Sequence, residues 1–238
     1  SSFLMTNDNL PKDAKFKINA LQKEIPNTYI TSFIENHKQT ISPANKTDVI
    51  SYDTIKIGNN HNVIIPKNDI NSIKRFYKDI GIDFILSPYT VIEEYLKNEG
   101  KQNSLTFFVY NNIIYTLIYN KNREIVYSET KVLTSFESTQ DETFLEDDIV
   151  GQKLYDEVNF LEIQEFLKDT VEKYYKNSDD VDFLEHLDML YTLKPMSSEQ
   201  IELLQEILMI PISYKVIALD NYMNEITQSK DVESHNFI

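Results

Sequence analysis

Apolar positions concentrate in strand-length runs broken by polar turns over residues 105–133, LTFFVYNNIIYTLIYNKNREIVYSETKVL. Leu105, Phe107 and Val109 share one face of a strand, and Thr106, Phe108 and Tyr110 share the other. Asn111-Asn112 turns the chain, because asparagine tolerates the left-handed backbone of a two-residue hairpin. Ile113, Tyr115, Leu117 and Tyr119 then alternate with Ile114, Thr116 and Ile118. Apolar residues on both faces predict a central, doubly covered sheet. The polar turn 120–124 leads into a third strand at Ile125-Val126-Tyr127, completing an antiparallel meander.

Upstream the pattern is weaker at first. Ser1-Ser2-Phe3-Leu4-Met5 reads as a strand. Asn9-Leu10-Pro11 opens a helix, since asparagine caps well and proline is tolerated in a first turn. Ala14, Ile18, Leu21 and Ile25 follow at helical spacing, and Pro26-Asn27 stops the helix. Residues 29–34 alternate as a strand, 35–46 read as a loop, and 48–57 hold one or two short strands. The stretch 62–66, NVIIP, predicts a buried strand. Asn68 is the expected cap of a helix carrying Ile70, Ile73, Tyr77 and Ile80, closed by Gly81 in the left-handed conformation. Residues 82–86 form a second buried strand, and Ser87-Pro88 starts a helix with Val91, Ile92, Tyr95 and Leu96. Strand, helix, strand and helix in this order predict a right-handed crossover between parallel strands. A domain boundary falls at residues 100–104.

Downstream of the meander lies an acidic loop, 137–148. A long helix over about residues 152–176 places Ile163, Phe166, Leu167, Thr170, Val171 and Tyr174 on one face. A strand follows at 186–191. Ser197 and Gln200 form a capping box, with Met196 and Ile201 as its hydrophobic staple. Ile201, Leu204 and Leu208 continue that helix. Residues 211–218 are the last strand, 221–227 a short helix, and 228–238 a polar tail.

Charge sharpens this picture. The 238 residues carry a net charge of -15, with no cysteine and four histidines. Residues 1–100 balance 12 basic against 12 acidic groups, so the whole excess lies beyond them. Residues 137–188 hold 17 acids against 4 lysines. The acidic balance disfavours direct binding of nucleic acid, because a phosphate backbone needs a basic patch. Without cysteine there is neither a disulfide framework nor thiolate chemistry. No apolar run reaches the length of a membrane span, about 18 residues. The chain does not begin with Met and is read as a soluble piece of a longer protein. Asp141, Glu142, Glu146, Asp147 and Asp148 lack the spacing and glycine of a calcium loop. His186 reads as a satisfied core histidine, and no Gly-x-Ser-x-Gly elbow is present.

Residues 105–226 thus follow the order β-β-β-α-β-α-β-α, which resembles a ribonuclease H-like subdomain. Residues 3–98 supply most of the same order without its first strands. Two such units in tandem resemble the actin-like ATPase superfamily, and within it the PilM-type pilus-assembly proteins and the cytoplasmic domain of GspL-type secretion proteins. The resemblance is carried by order and spacing over residues 60–220. Its three stretches are NVIIPKNDINSIKRFYKDIGIDFILSPYTVIEEYL, LTFFVYNNIIYTLIYNKNREIVYS and LDMLYTLKPMSSEQIELLQEILMIPISY. It implies an α/β fold of two tandem subdomains, the first incomplete, with bounds at 1–102 and 103–227.

Two departures bear on chemistry. Nucleotide-binding members turn around the phosphates with an Asp-x-Gly hairpin, because glycine lets backbone amides approach an anion. Here that turn is Tyr110-Asn111-Asn112. Where the family has a Gly-Gly pair at the adenosine loop, this chain has Lys194-Pro195. A ribonuclease H-type nuclease would need metal-binding carboxylates on its first strand, and residues 105–110 have none. The expectation is therefore a non-enzymatic scaffold without a cofactor or metal, in a type IV pilus, type II secretion or DNA-uptake machine. The resemblance implies contact with an assembly ATPase and inner-membrane proteins, at the cytoplasmic face of the bacterial inner membrane. It leaves room for a tether outside this chain and for a homodimer. Glu146, Asp147 and Asp148 are the expected partner-binding residues. An active actin-like ATPase and an unrelated acidic α/β interaction domain remain the alternatives.

Overall fold

The computed structural model describes residues 10–25, 28–45, 50–58, 60–99, 101–134, 149–177, 183–192 and 196–235. Contacts divide the chain into two compact units, residues 1–94 with 219–238, and residues 95–218.

The second unit is built on the meander. Strands β6 (Ser104–Tyr110), β7 (Ile113–Tyr119) and β8 (Ile125–Val132) run antiparallel. β8 extends past the expected Tyr127. Strand β9 (His186–Tyr191) joins β6 in parallel, and β10 (Ile212–Val216) joins β9, giving the order β10-β9-β6-β7-β8. The first strand of the meander is therefore central, the arrangement of a ribonuclease H-like subdomain. Leu105, Phe107, Val109, Ile114, Ile118, Leu187 and Met189 form one core with helix α4 (Ile149–Asn177). From α4 come Phe160, Ile163, Phe166, Leu167 and Tyr174, matching the face expected from the sequence. Glu129 ties β8 to α4: it accepts from Tyr127 Oη at 2.8 Å and pairs with Lys173 at 2.6 Å. Helix α5 (Ser198–Leu208) begins in the expected capping box of Ser197 and Gln200 and buries Leu204.

The first unit departs from expectation in its strand pairing. Strand β1 (Thr31–Phe33) pairs in parallel with β5 (Phe84–Leu86). The Asp83 carboxylate accepts the Ile30 amide at 2.7 Å, and the Ile34 amide donates to Leu86 at 2.8 Å. Residues 40–43, expected in a loop, form β2 (Thr40–Pro43). β2 and β3 (Tyr52–Ile57) flank β4 (His61–Pro66) in an antiparallel sheet. Both edges of β4 are thus occupied, so the expected parallel partnership of NVIIP with residues 82–86 does not form. The helix between them, α2 (Lys67–Phe76), starts at Pro66 without a side-chain cap, so Asn68 is not its cap. Gly81, at φ 82°, closes the turn after it through an amide bond to Tyr77.

Helix α1 (Lys12–Glu24) buries Ala14, and α3 (Pro88–Asn98) starts where Ser87 accepts the Thr90 amide at 2.9 Å. Helix α6 (Leu219–His235) runs well beyond the expected 221–227. The fold class is α/β, and the five-stranded sheet of the second unit has the ribonuclease H-like strand order. Residues 1–5 and Asn9 lie outside the described residues.

At the end of α5, Met209 takes a left-handed conformation (φ 55°, ψ 30°) with its side chain 88% exposed. A side chain in that region costs about 1 kcal/mol, whereas glycine enters it freely. Met209→Gly is expected to stabilise the protein by about 0.5–1 kcal/mol, checked by urea unfolding.

Candidate functional site

Two places in the second unit bring polar groups to the sheet. The first is the end of β6, where the resemblance expects a phosphate hairpin. Tyr110 pairs directly with Ile113, and Asn111 sits at φ 49°. The Asn112 carbonyl accepts the Leu133 amide at 2.7 Å, which ties the turn to the end of β8. Beside it the Tyr191 ring packs 5.8 Å from Phe107 and 5.3 Å from Tyr214. Burial pushes the Tyr191 phenol well above its ordinary range. The edge is thus lined by asparagine and aromatic side chains. Lys194-Pro195 lies outside the described residues.

The second is a buried polar cluster on the sheet face opposite the α4 core. Register places Ser104 beside His186 and Thr106 beside Asp188. Lys101 Nζ lies 3.0 Å from His186 Nε2, and Ser213 Oγ lies 2.7 Å from the same nitrogen. Asp188 Oδ1 is 3.2 Å from it as well, and accepts from Tyr95 Oη at 3.2 Å. Lys215 Nζ sits 5.6 Å from the centre of the Tyr95 ring and pairs with Glu99. Asp188 Oδ2 and Thr106 Oγ1 are buried without a hydrogen-bond partner.

Lys101, Ser213 and Asp188 all converge on His186 Nε2, and Lys101 Nζ also lies 3.4 Å from Nδ1, so the ammonium group sits against the ring rather than on one nitrogen. Burial, with Lys101 next to it, lowers the His186 pKa, partly opposed by Asp188. Burial raises the Asp188 pKa, partly opposed by His186 and Tyr95. The 3.2 Å contact is therefore no ordinary ion pair; the two groups titrate together, with their ordinary values drawn toward each other. His186 is satisfied inside the protein. Asp188, 1% exposed, ties α3 to β9 through Tyr95, while His186 reaches Lys101 and Ser213 of β10. Sequence reasoning did not single out Asp188. The available signal was one carboxylate inside the apolar run HLDMLY.

Glu146, Asp147 and Asp148 lie outside the described residues, as do Asp141 and Glu142. On α4, Lys176 holds Glu172 at 3.0 Å and lowers its pKa, as helical spacing predicts. Among the described residues, no three His, Cys, Asp or Glu side chains gather to hold a metal ion. No described helix is long and apolar enough to cross a membrane.

Residues 1–93 match the family described as Domain of unknown function (DUF8569). Residues 129–231 match Domain of unknown function (DUF8341). No curated protein matches. Among solved structures, the chain is similar to a Bacteroides thetaiotaomicron VPI-5482 protein with an actin-like ATPase fold and unknown function. That likeness has 11% identity and a TM-score of 0.42, over 86% of this chain and 76% of the other. A PilM-PilN type IV pilus biogenesis complex is similar at 10% identity and a TM-score of 0.45, over 87% and 63%. The ethanolamine utilization protein EutJ from Carboxydothermus hydrogenoformans is similar at 8% identity and a TM-score of 0.46, over 85% and 65%. The chain thus spans less than two thirds of the last two.

The cluster generates a pH-dependent stability. A raised Asp188 pKa contributes stability that is full below its ordinary 3.8 and is lost as pH rises through the folded value. A lowered His186 pKa contributes stability present above 6.5 and lost as pH falls through the folded value. Asp188→Asn keeps an acceptor for Tyr95 and removes the buried charge. It is expected to raise the urea midpoint at pH 7, with the gain shrinking as pH falls toward 4. A wild type more stable than the variant at pH 7 would show that pairing outweighs burial.

Proposed function

We propose that this chain is a non-catalytic, actin-like scaffold of a type IV pilus, type II secretion or DNA-uptake machine. In this reading it links an assembly ATPase to inner-membrane components at the cytoplasmic face. The observation that carries the non-catalytic part is the turn at Asn111-Asn112, in a sheet of ribonuclease H-like order. Phosphate binding at such a hairpin needs backbone amides to come within hydrogen-bonding distance of the anion. Two asparagine side chains occupy the place where glycine would allow that approach. The machine itself is supported by the sequence resemblance in order and spacing, and the acidic half supplies a surface for a basic partner.

Calorimetric titration with Mg-ATP tests the reading, with no heat of binding expected. A micromolar dissociation constant would instead favour an active actin-like ATPase. The partner surface has its own test. Neutralising Glu146, Asp147 and Asp148 together is expected to slow association with the assembly ATPase at low salt, with the fold retained. An association rate unchanged across a salt series would remove this loop from the interface.

A further inference from the structure

Helix α4 has a second apolar face. Leu154, Val158 and Leu161 recur at spacings of four and three and are 62%, 45% and 59% exposed. At about 100° per residue they lie on the side of the helix opposite Phe160, Ile163 and Phe166, which fill the core. The stripe spans two helical turns, about 10 Å. A helix apolar on opposite sides is stable in water only at the cost of an exposed face, unless something lies on it.

Charge identifies what would lie there. From residue 153 to residue 168 the helix carries Asp156, Glu157, Glu162 and Glu165 against Lys153 and Lys168, so acids outnumber bases two to one along the stripe. Glu162 is engaged by the Thr134 amide at 3.0 Å and faces Lys131 at 3.8 Å. Glu157 and Glu165 are exposed beside the stripe. A second copy of the chain would bring the same acids against these. The chain's own residues 135–148 hold six acids and no base, so they also carry the wrong sign. We infer that the Leu154–Val158–Leu161 face of α4 docks an amphipathic helix of a partner protein, one whose apolar seam is flanked by lysine or arginine. Apolar side chains at heptad spacing supply the buried area, and the flanking charges select the partner and speed its approach. The inference needs only α4 and stands apart from the pilus-machine reading.

The test uses the whole chain and two designed helical peptides. Both carry leucine along one seam, flanked in one by lysine and in the other by glutamate. The lysine peptide is expected to bind at least ~10-fold more tightly, and to weaken as salt rises. Leu154→Gln, Val158→Gln and Leu161→Gln combined keep every acid. This variant is expected to retain its unfolding midpoint and to lose the lysine peptide by ~10-fold or more. Equal binding by the variant would reduce the effect to charge alone and overturn the inference. A sharp fall in the variant's unfolding midpoint would show that the chain covers the stripe itself, and would also overturn it. So would a dimer, seen by sedimentation, that the variant dissolves.

Discussion

Strand β6 imposes the constraint on which the second unit depends. Its sequence is apolar on both faces, and its backbone must find partners along both edges. β7 pairs along one edge and β9 along the other, so each peptide group that leaves water regains a hydrogen bond. Leu105 and Phe107 meet α4, while Thr106 and Phe108 are buried on the opposite face. A strand of this composition at a sheet edge would expose either apolar side chains or unpaired amides. Only the central position avoids both, and the order β10-β9-β6-β7-β8 follows from giving it that position.

The same burial explains the polar cluster. Once β9 lies beside β6, Asp188 enters a layer with little water, where a carboxylate is costly unless its charge is met or removed. Tyr95, His186 and Lys101 meet part of it. The unpartnered Asp188 Oδ2 and Thr106 Oγ1 sit on adjacent strands in register. The cluster joins segments distant in sequence, so it acts on how these elements hold together. His186 and Asp188 are buried, at 7% and 1% exposure, while Lys101 enters the cluster from an exposed position.

Helix α4 shows the opposite case. Its core face is fully committed, while the outward face of its first half remains apolar in an acidic setting. Burial there would require a partner, and the acids limit the sign of that partner's charge.

Much of the second unit was determined by the sequence itself. Apolar, β-branched and aromatic residues on both faces along 105–119 specify buried strands, Asn111-Asn112 specifies the turn, and Ser197 with Gln200 specifies a helix start. These are local effects of side-chain period and capping, which act within a few residues. In the first unit, NVIIP and residues 82–86 were legible as strands, but their partners were not. β4 pairs with β2 and β3 because antiparallel neighbours close in sequence occupy both its edges. β5 is left to β1, more than fifty residues away, through Asp83. A short apolar run carries no record of which edge it will meet. The Asp188–His186–Lys101 cluster was hidden for the same reason. Each residue is unremarkable in its own segment, and only the parallel pairing of β6 with β9 sets Lys101 against His186 and leaves Asp188 without water.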